Sequence, residues 1–261
     1  LTQNKKRLFD KEKSEYTFRS LNSIILSLHQ AKISFPQIEF NVVIVDYNSK
    51  KDDFDQMKKQ LNKSHFKNSI ISLDLNEFRD KIKRINAKNE KVTENQMSNM
   101  SNIHKSLLIA KNQCTDLVYF VEDDYIHSIH AMKEMILTYE KLSSMLKTEL
   151  ILCPTDYPYL YSEINESKIF LGDKSHWRSI KETLCTFLMS KELVIKYWDE
   201  LTSVCKFEHY PFEQPLHDIY KSEYCLSPIP SLALHCTNVN SVFGLSPTMD
   251  WMKVWKENKN Y

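Results

Sequence analysis

Three consecutive acids, Glu122-Asp123-Asp124, directly follow the run Leu117-Val118-Tyr119-Phe120-Val121. A run of this kind reads as a buried strand, which puts the acids at its carboxyl end. Side chains alternate along a strand, so continuing the register sends Glu122 and Asp124 to one side and Asp123 to the other. Like charges crowded at the rim of a core repel one another, and a cation relieves the repulsion. Mg²⁺ or Mn²⁺ suits such a place, because these ions take one or two protein carboxylates and complete their shell with phosphate oxygens and water. The chemistry on offer is neutralisation of a diphosphate as it leaves. A plainer alternative, acids that merely end a strand, explains a lone acid better than three in a row.

Only two glycines, Gly172 and Gly244, occur in 261 residues. Neither GxGxxG nor GxxxxGK can be written with them, so a glycine-rich phosphate loop is excluded and phosphates must be held by metal or side chains. Basic and acidic residues number 35 and 34, a net charge of +1, which argues against a nucleic-acid partner. An apolar share of 42% over this length is enough for one large α/β domain. Six cysteines occur with no CxxC pair, and we expect reduced core thiols in a cytoplasmic protein without structural zinc. No apolar run reaches the roughly 18–20 residues that span a bilayer, and no secretory leader is expected. Peripheral association with a membrane face is the membrane role left open. The aromatic tail Trp251-Met252-Lys253-Val254-Trp255-Lys256 could serve it, although docking back onto the domain is the stronger expectation.

The elements that would position the acids follow from periodicity. Helices are expected over 14–31, 52–62 and 101–112 and again after Ser128, which could cap the helix carrying Met132, Met135, Ile136 and Tyr139. Strands are expected at 40–46, 70–75, 117–121, 150–153 and 183–189, and a further helix from Ser190. Residues 76–98 are polar and aperiodic and read as a long loop or weak helix. Residues 205–248 show no clean period. Strands alternating with helices predict an α/β fold, a doubly wound, mixed but mostly parallel sheet with helices on both faces. Ligands of such sheets bind at the carboxyl ends of strands, and Asp46 and the triplet both lie there. One domain is expected over 1–261, a nucleotide-binding half to about 145 and an acceptor-binding half from about 146.

Three motifs in order carry a family resemblance: Val43-Ile44-Val45-Asp46-Tyr47-Asn48-Ser49, then Ser101-Asn102-Ile103-His104 opening a helix, then Tyr119-Phe120-Val121-Glu122-Asp123-Asp124. Over roughly residues 15–145 the chain resembles the nucleotide-sugar glycosyltransferases of the GT-A (Rossmann-like) fold, family 2 in particular. The resemblance implies that Asp46 contacts the base or ribose, that Asn102 belongs to the nucleotide-sugar site, that Glu122 or Asp123 touches the ribose or a metal-bound water, and that Asp124 coordinates the metal. Two departures stand out. The triplet begins with Glu where the family has Asp, and the family's first strand is not recognisable before the first helix. If Leu1-Thr2-Gln3 is its tail, Thr2 joins the base pocket.

The second half offers acceptor-side candidates. The resemblance places a catalytic base after the triplet near a helix start, where Glu213 stands, with Asp218 in reserve; a cap or surface acid is the alternative for each. His235 after an apolar stretch is either a further metal ligand, as in some GT-A enzymes, or a hydrogen-bonded core histidine. Arg178 and Lys174 could pair with the diphosphate and Trp177 could close over it, or the segment is a surface loop anchored by one tryptophan. Asp156 and the tyrosines of 154–161 follow a strand end and could line the acceptor pocket or simply pack. The expectation is a metal-dependent transferase moving a sugar, with inversion, from a UDP-sugar to a hydroxyl of a glycan or lipid. The alternatives are a sugar nucleotidyltransferase, which usually needs the glycines missing here, and a carbohydrate-binding or interaction module without catalysis.

Overall fold

A computed structural model describes residues 7–85, 89–162, 164, 166–206, 213–237 and 239–259. The first half runs α1 (Lys13–Ser34), β1 (Asn41–Asp46), α2 (Lys51–Ser64), β2 (Lys67–Ser72), α3 (Glu94–Gln113), β3 (Leu117–Phe120), β4 (Tyr125–His127) and α4 (Ala131–Leu146). The second runs β5 (Leu150–Leu152), β6 (Ile169–Leu171), β7 (His176–Ile180), β8 (Phe187–Ser190), α5 (Lys191–Lys196), α6 (Trp198–Ser203), α7 (Gln214–Ile219), β9 (Tyr224–Ile229), β10 (Ala233–His235) and α8 (Trp251–Glu257).

The main sheet has six strands in the order β3-β8-β5-β9-β7-β6. Alternation along each strand splits its side chains between two cores. Ile151, Phe187, Met189 and Cys225 face α3, α5, α6 and α7. Leu150, Leu152, Leu188 and Leu226 face α1 and α4. Helices therefore cover both faces, as expected of an α/β chain. The strand directions differ from expectation: β5 and β9 pair in parallel, whereas β3–β8, β8–β5, β9–β7 and β7–β6 are antiparallel. The cause is β8, which inserts between β3 and β5 against their direction, and the tight β6–β7 hairpin. β3, β5 and β9 still run the same way, so their carboxyl ends share one edge. A separate parallel pair, β1–β2, and an antiparallel pair, β4–β10, complete the strands among the described residues.

α1 packs against three sides. Phe18, Leu21 and Ile25 meet α2 and β1, Leu28 and Ala31 meet α4, and Tyr16 meets α8. Small serines permit close approach: Ser23 Oγ accepts from His127 N at 2.9 Å and Ser27 Oγ from Met132 N at 2.8 Å. α3 begins well before the expected residue 101, because Thr93 and Gln96 form a capping box. The start of α4 lies at His130 rather than Ser128, and no side chain caps it. Ser190 does cap α5, accepting from Leu193 N at 3.2 Å. The tail forms α8 and docks inward, with Trp255 buried, its ring stacked on Phe9 at 3.9 Å and under the Arg19 guanidinium at 4.0 Å. Among the described residues no helix is long and apolar enough to cross a membrane, and no cysteine is disulfide-bonded.

Candidate active site

The triplet leaves β3 at the shared edge and turns at once into β4. Its three carboxylates part company. Asp123 is exposed and turns to the start of α1, where Thr17 Oγ1 lies at 3.0 Å and Lys13 Nζ at 3.3 Å. Glu122 faces the start of β8: its N–H donates to Thr186 Oγ1 at 3.0 Å, and the Thr186 hydroxyl donates to Glu122 Oε2 at 3.3 Å. Desolvation raises the Glu122 carboxyl well above the carboxylate range, and Asp124, Glu213 and Asp123 add charge repulsion in that order. As a residue Glu122 is exposed, so it stands at the surface rather than in a sealed core. Glu213 stands half-buried at the start of α7, and burial lifts its carboxyl to about 6.

Asp124 carries the most directed geometry. Its Oδ1 lies 3.6 Å from His235 Nε2, and its Oδ2 lies 3.4 Å from Arg7 Nη1. Backbone pairing sets the first distance: Tyr125 and His235 are partners in β4–β10, and Cys236 N donates to Asp124 O at 2.9 Å. The His235 ring stacks on Tyr125 with centroids 4.4 Å apart. Its Nδ1 lies 2.8 Å from Phe243 O. A carbonyl only accepts, so Nδ1 carries the proton and Nε2 of the neutral ring presents a lone pair. Desolvation lowers the His235 pKa and keeps the ring neutral, outweighing the opposing pull of Asp124. A lone pair and a carboxylate oxygen face each other with no proton between them, a donor set that fits a divalent ion bound at roughly 2.0–2.2 Å from each ligand. No group of three or more His, Cys, Asp and Glu side chains converges on a metal position among the described residues.

The other expected residues lie elsewhere. Asp46 ends β1 and folds onto Ser49, whose N–H lies 3.4 Å from Oδ2. Asn102 donates from Nδ2 to Val45 O at 2.8 Å, tying α3 to β1; that bond accounts for its amide as a positioning group. Among the described residues no hydrogen bond or ion pair joins Asp46 to the triplet. Beside Tyr47 opens a cleft of about 620 Å³ lined by Asp74, Arg79, Arg84, Lys91 and Thr93 among others; the aperiodicity of 76–98 hid it from sequence reasoning. A concavity of about 530 Å³ on α2, between Lys58 and Lys63, touches no candidate residue.

Three expectations need correction. Arg178 is buried in an ion pair with Asp156, and its guanidinium lies over the Tyr161 ring at 4.4 Å; it is committed to the fold rather than to a diphosphate. Trp177 is fully buried and donates from Nε1 to Glu134 at 3.3 Å, so it belongs to the core of β7 and closes over nothing. Asp218 is exposed and paired with Lys221 Nζ at 2.7 Å, a surface role that leaves Glu213 as the candidate base. Thr2 and residues 209–212 lie outside the described residues. No protein-family model matches this chain, and no curated protein matches it.

Proposed function

We propose that the protein is a metal-dependent glycosyltransferase of the GT-A type, moving a sugar from a nucleoside diphosphate, UDP by preference, to an acceptor hydroxyl of a glycan or lipid. The observation that carries this reading is the lone-pair face of His235 opposite Asp124 at 3.6 Å, at a strand end that also draws in Glu122 and Glu213. His235 Nε2 and Asp124 Oδ1 would hold Mn²⁺ or Mg²⁺; an imidazole ligand favours Mn²⁺. Such an ion, when bound, supplies positive charge to the diphosphate as it departs.

The chain's own groups supply the remaining steps. Glu213, ionised above about pH 6, accepts the proton of the acceptor hydroxyl as that oxygen attacks the anomeric carbon. A base on the face opposite the leaving diphosphate gives inversion. Glu122 engages the Thr186 hydroxyl and adds a carboxyl group for a sugar or ribose hydroxyl. The cleft beside Tyr47, the residue that follows Asp46, would take the nucleoside.

Titration calorimetry with UDP tests the reading. Binding should require Mn²⁺, and Asp124→Ala should weaken it by roughly 100-fold or more. Equal UDP affinity with and without metal would remove the metal from the proposal. Release of UDP from a panel of UDP- and GDP-sugars would then identify the donor.

A further inference from the structure

We propose that Arg7 is the protein's phosphate clamp, gripping the terminal phosphate of the nucleoside diphosphate at Asp124; this rests on the transferase reading above. The segment bearing Arg7 is fixed in place: Leu8 is buried, its N–H donates to Thr237 O at 3.1 Å, and its carbonyl accepts from the Tyr16 hydroxyl. The Arg7 guanidinium lies over the Tyr16 ring at 5.4 Å. From that support its Nη1 approaches Asp124 Oδ2 to 3.4 Å. The same Nη1 is shut off from solvent yet makes no hydrogen bond.

Asp124 Oδ2 offers Nη1 an opposite charge at 3.4 Å but no hydrogen bond, and a buried donor left so costs stability. An oxygen-rich ligand supplies the missing acceptor. Asp124 presents Oδ1 to His235 and Oδ2 to Arg7, so a ligand held at the first oxygen is flanked by the guanidinium at the second. The arginine fork matches phosphate oxygens, and its charge opposes the charge that builds on a departing diphosphate. Lys13 and Thr17 engage Asp123 instead, which leaves Arg7, among the described residues, as the cation directed at Asp124.

The test is calorimetry with UDP, UMP and uridine in the presence of Mn²⁺, on the wild type, Arg7→Gln and Arg7→Lys. The wild type should prefer UDP to UMP. Arg7→Gln should cut that preference by roughly 10-fold or more, a loss of the size expected for one charged hydrogen bond, and leave uridine affinity unchanged. Arg7→Lys keeps the charge without the fork and should fall between the two, which keeps the test open if Arg7→Gln does not fold. A folded variant that retains the wild-type ratio of UDP to UMP affinity overturns the assignment, because a merely structural arginine would change all three ligands alike or none. A wild type that binds none of the three ligands overturns the transferase reading itself, and the clamp with it.

Discussion

At the scale of single residues, Glu213 makes the sharpest prediction. Its pKa rises from an ordinary 4.5 to about 6 because the fold buries it. The unfolded chain releases this proton first, so the residue weakens the fold as pH climbs through that window and keeps it weakened above. Glu213→Gln is therefore expected to be more stable than wild type at pH 8, by at most about 2 kcal/mol, and equal to it below about pH 4.5; melting curves at both pH values check this. The same substitution should abolish transfer while UDP binding persists, and the wild-type rate should rise with pH along a limb centred near 6. That the triplet ends a strand was legible in the sequence, because the apolar run before it pairs into the main sheet. Where each acid points was not legible: a turn, not a continued strand, separates Asp123 from its neighbours, and only the chain around His235 reveals which oxygen of Asp124 faces the imidazole. Arg178 illustrates the opposite case. Its commitment to Asp156 crosses from β7 to the segment after β5, and neither residue's local pattern announces the other.

At the scale of elements, the loop between β6 and β7 rests on one buried carboxylate. Glu134 of α4 accepts from Lys174 N at 3.0 Å, Ser175 N at 3.1 Å and Trp177 Nε1 at 3.3 Å. Gly172 sits against this cluster so closely that an added Cβ would lie 2.4 Å from Thr138 Oγ1 and 2.5 Å from Trp177 Nε1. Gly172→Ala should cost about 1–3 kcal/mol of overpacking, read from urea unfolding. Asp156→Ala strands the buried Arg178 charge and should cost about 3–5 kcal/mol with UDP affinity intact; a loss of affinity in the folded variant would return Arg178 to the site. The long helices were legible from their period, and β1, β3 and β5 from continuous apolar runs in the sequence. The three-residue strands β4, β6 and β10 are too short to carry a period. The threonine and glutamine spacing of the capping box did mark the start of α3, but the polar run before it masked the signal.

At the scale of the whole molecule, α8 closes the structure over α1 and the segment bearing Arg7. Trp255 lies between Phe9, Tyr16 and Arg19. Trp255→Ala should cost about 3–5 kcal/mol and, if Arg7 acts as a clamp, should also lower the preference for UDP over UMP. Helices on both faces were foreseeable from alternating helices and strands, but strand direction was not, since the order of elements along the chain cannot reveal that β8 inserts backwards. The β4–β10 pair has a consequence in time. Asp124 and His235 are separated by roughly a hundred residues, and their spacing is set by a ladder rather than by either side chain. Closing a loop of that length carries an entropic cost of several RT before any contact repays it. On the proposed reading, the Asp124–His235 pair is thus among the late-assembling features of the chain: a nascent polypeptide has its acids early but would gain metal affinity only once β10 has emerged and paired. During refolding, uptake of Mn²⁺ should lag the recovery of helical signal, so that the ion reports the last closure rather than the first collapse.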